Sequence, residues 1–132
     1  MSDREAPIIR NLILVVDDDL GVLRTISATL AHAGFRVEVA DGGDAGLAAY
    51  RKFRQEICVV LTDVVMPGLN GVGLAQAILE IDPSARILFM SGYSEAPPEI
   101  DSRRFPFVRK PFLPADLVRR VRRVLGQAAG AV

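Results

Sequence analysis

The sequence predicts a single doubly wound α/β domain, with a five-stranded parallel sheet covered by helices on both faces. Short continuous apolar runs alternate along the chain with segments of helical periodicity, and three of the runs end directly in charged residues. Continuous apolar strands that alternate with helices indicate parallel strands joined by right-handed crossovers. The length of 132 residues fits one domain with one core.

Five apolar runs are the predicted strands. In chain order they are Leu12–Val16, Phe35–Ala40, Ile57–Thr62, Ala85–Met90 and Phe105–Val108. Helical spacing follows the first, second, third and fifth runs. The residues that trace these helices are Leu20, Leu23, Ile26, Ser27 and Leu30 in the first; Ala45–Phe53 in the second; Leu74, Ala77, Ile78 and Ile81 in the third; and Leu113, Leu117, Val121, Val124 and Leu125 in the last.

Start and stop signals delimit the helices. Asp19, Asp41 and Asn70 stand where N-caps are expected, since their side chains can accept hydrogen bonds from the free amides of a first turn. Asp44 adds an acid to the first turn of the second helix and complements the helix dipole there. Gly34 closes the first helix and Pro83 ends the third.

Charge and composition limit the classes of function. Sixteen basic and sixteen acidic residues give a net charge of zero, which favours neither nucleic acid nor an anionic membrane as a partner. No apolar segment approaches the roughly 20 residues that span a bilayer, and no signal core is present. We therefore expect a soluble cytoplasmic domain at residues 11–126 with flexible tails at 1–10 and 127–132. Cys58, the single cysteine, is expected to be buried.

Charged residues end three of the predicted strands. Asp17, Asp18 and Asp19 follow the first strand, Asp63 follows the third, and Lys110 follows the fifth. In doubly wound folds, ligands bind at the carboxyl ends of the strands. If strands one and three are neighbours, about 5 Å apart, Asp17, Asp18 and Asp63 share one small volume. Carboxylates about 4 Å apart repel by roughly 1 to 4 kcal/mol, so the cluster favours a hard cation such as Mg²⁺.

The same residues supply the parts of a phosphoryl-transfer site. Such a site needs an in-line nucleophile, a metal across the phosphoryl oxygens, and donors for the remaining charge. Asp63 can be the nucleophile and form an acyl phosphate. Lys110 and the hydroxyl of Ser91, at the end of strand four, can supply the donors.

Four motifs resemble the receiver domain of two-component response regulators. They are the runs Leu12–Asp19, Leu61–Gly71, Phe89–Gly92 and Val108–Phe112, which occur in this order. The resemblance covers roughly Asn11–Leu125, nearly the whole chain. It implies a flavodoxin-like fold whose sheet has the strand order 2-1-3-4-5.

The resemblance also implies a role for each acid. Asp63 would be the phosphoacceptor, charged by a histidine kinase or a histidine phosphotransfer protein. Asp18 would bind Mg²⁺ directly and Asp17 through water, with the backbone carbonyl of Val65 as a further ligand and Mn²⁺ as an alternative ion. Such a protein is not a turnover enzyme but catalyses its own phosphorylation and dephosphorylation.

The remaining motif residues would carry the switch. By the resemblance, the Ser91 hydroxyl turns toward the phosphoryl group and Phe107 rotates inward with it. Lys110 would pair with the phosphoryl oxygens, and the Lys110–Pro111 peptide bond is expected to be cis, which costs little before proline. The phosphodonor is expected to dock near the first helix, around Leu20, and the protein to be a monomer or weak dimer with no direct contact to nucleic acid or membrane.

The segment Gly92–Arg104 departs from the family pattern. The family has its fourth helix there, but the segment is short and contains Pro97–Pro98. Proline lacks the amide donor and clashes with the preceding turn, so we expect the fourth helix to be short or absent. The arginines of the last helix indicate a solvated helix face; they are Arg119, Arg120, Arg122 and Arg123.

Two other functions remain open on the sequence. Asp17 and Asp19 form an Asp-x-Asp pair after an apolar strand, which allows a phosphatase of the haloacid dehalogenase type with Asp17 as nucleophile. The phosphatase hypothesis does not account for Asp63. A receiver-like interaction module that is never phosphorylated is the third hypothesis. A receiver could in turn stand alone or belong to a hybrid sensor histidine kinase.

Overall fold

Five strands form one parallel sheet at the centre of the fold. They are β1 (Leu12–Val16), β2 (Arg36–Ala40), β3 (Ile57–Asp63), β4 (Ile87–Ser91) and β5 (Phe107–Arg109). Their order is β2-β1-β3-β4-β5, and all neighbouring strands are parallel. This computed structural model describes residues 10–92, 100–101 and 104–128, without the side chains of residues 127 and 128. The predicted doubly wound fold and its strand order are confirmed.

Within the described residues, four helices cover the sheet: α1 (Leu20–His32), α2 (Gly43–Phe53), α3 (Gly71–Ile81) and α4 (Pro114–Ala128). Side chains alternate along each strand, so β1 sends Leu14 to a core with α2 and α3 and Ile13 to a core with α1 and α4. Cys58 is buried in the second core, as predicted. Within the described ranges, none of the helices has both the length and the apolar character of a membrane span.

Two of the three predicted N-caps are confirmed. The Asp19 carboxylate accepts hydrogen bonds from the amides of Gly21 at 2.8 Å and Val22 at 3.2 Å. The Asn70 side chain accepts one from the amide of Gly73 at 2.9 Å. Both caps satisfy amides that have no partner within their helix, and they set the first residues of α1 and α3.

The prediction that Asp41 caps the second helix is wrong. The N-cap of α2 is Gly42, and no side chain caps the helix. The reason is close packing: a Cβ atom added at Gly43 would lie 2.0 Å from the backbone oxygen of Leu69. Only glycine allows the first turn of α2 to pack this closely on the loop after β3. Asp44 lies in the first turn, as predicted.

The last two strands begin later than predicted. Ala85 lies in a turn, where its amide donates to Asp82, and β4 therefore starts at Ile87. Phe105 lies in a second turn, with its amide bonded to the backbone oxygen of Asp101. Its ring packs edge-on against Phe89, with the ring centres 5.8 Å apart. The apolar side chain of Phe105 therefore belongs to a packing contact and not to the strand.

Three predicted segments lie largely outside the described residues. Of the segment 92–104, residues 92, 100, 101 and 104 are described, and none of these four is helical. The predicted tail 1–10 is described only at residue 10. Of the predicted tail 127–132, the backbone of residues 127 and 128 is described and continues α4.

Gly71 marks the closest approach between α3 and β3. A Cβ atom added at this residue would lie 2.1 Å from the backbone oxygen of Asp63, and the Gly71 amide donates to the Val64 oxygen at 2.9 Å. Since atoms cannot approach that closely, any side chain would force the start of α3 away from the end of β3. The backbone of Asp63 is thus held by a helix that needs glycine at its first residue.

We expect Gly71→Ala to lower the free energy of unfolding by about 1–3 kcal/mol, as overpacking does. The matched control is Gly126→Ala in α4, where an added Cβ meets no atom within 4 Å. The control should raise stability by up to about 1 kcal/mol, because alanine favours a helix. Urea denaturation measures both, and equal effects of the two changes would contradict the close packing.

A buried hydroxyl links α2 to the end of α3. Tyr50, which is 4% exposed, donates to Asp82 at 2.7 Å, and Arg54 donates to both oxygens of the same carboxylate. The Arg54 bonds, then the Tyr50 bond, lower the pKa of Asp82. Burial, aided by Asp82, raises the pKa of Tyr50. Tyr50 therefore stays a donor and Asp82 an acceptor at neutral pH.

We expect Tyr50→Phe to destabilise the fold by about 1 kcal/mol at pH 7, the value of one hydrogen bond to a partly exposed carboxylate. Because the pKa of Asp82 is lowered, its contribution is present above the unfolded pKa of about 3.9 and is lost as pH falls below it. The penalty should therefore shrink at acidic pH. Urea denaturation of a double-mutant cycle with Asp82→Asn measures the coupling, and a pH-independent penalty would contradict it.

Candidate functional site

The adjacent strands β1 and β3 bring three carboxylates together at the carboxyl edge of the sheet. Val16 pairs with Thr62 in register, and the next residues along the two chains are Asp17 and Asp63. One oxygen from each of Asp17, Asp18 and Asp63 lies within 4.8 Å of the other two. The predicted clustering of the three acids is thus present in the geometry.

Asp17 is the most deeply buried of these acids, with 1% of its side chain exposed. One of its oxygens, Oδ1, accepts from the amide of Asp19 at 2.9 Å. The other, Oδ2, accepts from Nζ of Lys110 at 2.7 Å. Both oxygens therefore have protein donors. Asp18 is exposed and offers the cluster a carboxylate open to water.

Lys110 reaches the cluster from the edge of the sheet. Its amide donates to the Ser91 backbone oxygen at 2.6 Å, and its ammonium lies 2.7 Å from Asp17 and 3.3 Å from Asp63. Burial lowers the pKa of Lys110, but the hydrogen bond to Asp17 and the charges of both acids outweigh it and raise the pKa. The side chain is thus a fixed cation. The Lys110–Pro111 peptide bond is cis, as the resemblance implies.

Asp63 is the more accessible of the two acids that Lys110 contacts, with 13% of its side chain exposed. Burial raises the pKa of this carboxyl, and the negative charge of Asp17 raises it further. Lys110 acts in the opposite direction but does not cancel the rise. The effect of burial on Asp63 is thus larger than the effect of the one ammonium beside it.

The other predicted site residues are Ser91, Phe107 and Val65. Ser91 ends β4 and is 1% exposed. It pairs with Arg109 in register, one residue before Lys110. Phe107 begins β5 and packs with the core that contains Phe89, so it lies outside the carboxylate cluster. Val65, two residues after Asp63, is 64% exposed.

Sequence reasoning missed Gly71 as part of the site. This glycine fixes the backbone of Asp63 by the close approach described above. The sequence contains a signal for this role. Gly71 directly follows the N-cap residue Asn70, although glycine is the poorest helix former after proline.

The donor set fits a hard divalent cation. Mg²⁺ prefers carboxylate oxygens in a site that keeps waters and open positions, and this cluster offers two nearly buried acids beside the exposed Asp18. Bringing a second positive charge to Asp63 would counter the burial that raises its pKa. The three residues that would hold such an ion are Asp17, Asp18 and Asp63.

Comparison with known proteins agrees with this geometry. Residues 13–122 match the family profile of the response regulator receiver domain. The response regulator receiver protein CpdR of Brucella abortus is 34% identical over 117 residues, which span 86% of this chain and 95% of CpdR. The DNA-binding response regulator MtrA of Mycolicibacterium smegmatis is 33% identical over 116 residues, 86% of this chain but only 50% of MtrA.

A solved structure of a response regulator has the same fold. The response regulator TrrA of Thermotoga maritima, in complex with Mg²⁺ and BeF, superposes with a TM-score of 0.75 at 27% identity. The match covers 87% of this chain and 99% of TrrA. Together with the profile match over most of the chain, the sheet order and the carboxylate cluster, these likenesses identify the protein: it belongs to the family of response regulator receiver domains.

Proposed function

We propose that this domain accepts a phosphoryl group on Asp63 and changes conformation as a result. One observation carries the proposal: the carboxylates of Asp17, Asp18 and Asp63 lie within 4.8 Å of one another, with the Lys110 ammonium against two of them. An oxygen of Asp63 would form the bond to phosphorus as the donor's nitrogen–phosphorus bond breaks. Lys110 would then stabilise the phosphoryl oxygens. The domain would in this way catalyse its own phosphorylation and dephosphorylation without being a turnover enzyme.

Burial and hydrogen bonding favour Asp63 over Asp17 as the nucleophile. Asp17 is held by two protein donors, the Asp19 amide and the Lys110 ammonium, and its side chain is almost fully buried, so a phosphodonor has less access to it. Asp63 keeps more of its side chain exposed. The phosphatase hypothesis, which requires Asp17 to attack, is disfavoured for this reason and by the family to which the chain belongs.

A divalent ion completes the proposed site. Mg²⁺, with Mn²⁺ as an alternative, would be held by Asp17, Asp18, Asp63 and the backbone carbonyl of Val65. When bound, it supplies positive charge to the phosphoryl oxygens. Three acids against the single ammonium of Lys110 support this assignment, since carboxylates in one small volume repel each other.

The phosphodonor would be a histidine kinase or a histidine phosphotransfer protein. We propose that it docks near α1, where Leu20 is 59% exposed at the rim of the site. The covered length is compatible with a free-standing domain, as in CpdR, and with half of a longer regulator, as in MtrA. A receiver within a hybrid sensor kinase and a monomeric or weakly dimeric state are further parts of this proposal.

Ser91 and Phe107 would transmit the change. Ser91 lies at the end of β4 between the cluster and β5, and its backbone oxygen holds the Lys110 amide. We propose that its hydroxyl turns toward the phosphoryl group and that Phe107, partly exposed at the start of β5, rotates inward. Phosphorylation would thus move the edge of the sheet that is farthest from β2.

We expect phosphorylation by acetyl phosphate with Mg²⁺ to place the label on Asp63. Mass spectrometry should find the added mass on the Asp63 peptide, and Asp63→Asn should abolish it because the amide is not the required nucleophile. Asp19→Asn is the matched control, since asparagine caps α1 as well as aspartate does and Asp19 lies outside the cluster.

Each alternative function predicts a different result in this experiment. A label on Asp17 that persists in Asp63→Asn would support the phosphatase. Absence of label in the natural protein, with acetyl phosphate and with a beryllofluoride mimic, would support the interaction module and contradict the proposal. A label confined to Asp63, with unchanged labelling of Asp19→Asn, supports the receiver.

We expect Asp17→Asn and Asp18→Asn each to weaken Mg²⁺ binding by at least about tenfold, the loss typical for a changed partner of a metal site. Isothermal titration calorimetry measures the dissociation constants, and Asp19→Asn again serves as the control. Equal affinities in all four proteins would show that the cluster does not hold the ion.

A further inference from the structure

A second charged site lies on the far side of β5, between that strand and α4. It is a concave pocket of about 300 Å³. Four arginines and a single acid line it: Arg109, Arg119, Arg120, Arg123 and Asp116. In a chain whose formal net charge is zero, this concentrates a charge of +3 around one small volume, counted as four guanidinium groups less one carboxylate. None of these residues belongs to the carboxylate cluster.

Helix geometry gathers the arginines. Residues three and four apart on a helix are neighbours on one face, so Asp116, Arg119, Arg120 and Arg123 form a row that runs beside β5. Arg122 lies off this row, and its guanidinium reaches the Ala33 backbone oxygen at 3.5 Å on the side of α1. The run interpreted from the sequence as one solvated face therefore divides over two faces, and one of them forms a pocket wall.

Among the described residues, the side chains of two of the pocket's arginines have no partner. Arg119 is paired with Asp116 at 2.8 Å, and Arg120 donates to the Phe107 backbone oxygen at 3.0 Å. In the part of the chain that the structure describes, no side-chain hydrogen bond or ion pair joins Arg109 or Arg123 to another residue. Arg109 from the strand and Arg123 from the helix thus offer their donors to the pocket from two walls.

The pocket also has an apolar wall. Phe112 and Leu113 line it beside the arginines, and Leu113 is 68% exposed. Guanidinium groups bind phosphate oxygens in pairs of parallel hydrogen bonds, and an apolar wall suits a base or another flat ring. The combination matches a ligand that carries both a phosphate and an apolar part.

We propose that this pocket, which we call the arginine pocket, binds a phosphorylated small molecule of nucleotide size. Its volume lies at the lower end of the range for small-molecule sites. A concave pocket suits a compact anion better than it suits the flat surface of a protein partner. Arg109 and Arg123 bind the phosphate, while Phe112 and Leu113 contact the apolar part. Asp116 neutralises Arg119 and limits the affinity.

The test is titration with adenosine diphosphate, inorganic pyrophosphate and adenosine, in the absence of divalent metal. Isothermal titration calorimetry gives the affinities, and amide resonances show where each compound binds. We expect adenosine diphosphate to shift the resonances of residues 109–123 and adenosine to bind far more weakly. Tighter binding of the nucleotide than of pyrophosphate identifies a nucleotide ligand, whereas equal binding identifies an inorganic or other simple phosphate.

Neighbouring arginines give a matched pair of variants. Arg123→Gln and Arg109→Gln should each weaken binding by about fivefold or more, because each removes a charge-assisted contact. Arg122→Gln, on the other face of the same helix, should leave the affinity unchanged. Asp116→Asn should tighten binding, since it removes the single acid. Urea denaturation establishes that the variants are folded.

Three results would overturn the proposal. They are the absence of binding by either phosphate compound, equal affinities of Arg122→Gln and Arg123→Gln, and resonance shifts confined to Asp63 and Lys110. Because the titration uses neither metal nor phosphodonor, failure here leaves phosphorylation of Asp63 untouched. Failure of that phosphorylation likewise leaves the arginine pocket untouched.

Discussion

The structure depends on placing three carboxylates in one small volume at the end of the sheet. Two of them are nearly buried, and the ammonium of Lys110 contacts both. Carboxylates about 4 Å apart repel by roughly 1 to 4 kcal/mol, and burial removes the water that would screen them. Burial is the largest cause of the raised pKa of Asp63, the charge of Asp17 adds to it, and the single ammonium of Lys110 does not cancel the two. The fold therefore holds a site that is stabilised by added positive charge.

The sheet order explains how distant parts of the chain reach this site. The central strands β1 and β3 are neighbours, so Asp17 and Asp63 come together without any loop having to fold back. Lys110 arrives from the other edge, two strands beyond β3, and is held by the Ser91 backbone oxygen at 2.6 Å. Arg120 anchors the short strand β5 from α4 through the Phe107 oxygen. The position of the Lys110 ammonium thus depends on β5, the shortest of the described strands.

The sequence predicted the features that depend on local patterns. Apolar runs predicted the strands, the resemblance to receiver domains implied their order, and residue type and position predicted Asp19 and Asn70 as caps. The features that were not predicted, by contrast, depend on contacts between distant segments of the chain. Asp41 is not a cap because α2 packs on Leu69, which only glycine permits at Gly43, and the pairing of Lys110 with Asp17 requires knowledge of side-chain reach across three strands. Neither feature can be inferred from the spacing of residues along a single helix or strand.

The arginine pocket shows how composition can hide local charge. Equal numbers of acids and bases argue against a polyelectrolyte partner, yet the fold separates the charges. Arg109, the last residue of β5, lines the arginine pocket, while the next residue, Lys110, contacts the acids. Lys110 therefore lies among negative charges, whereas Arg109 lies among positive charges. A net charge of zero thus excludes a long anionic partner but not a small anion bound in one pocket.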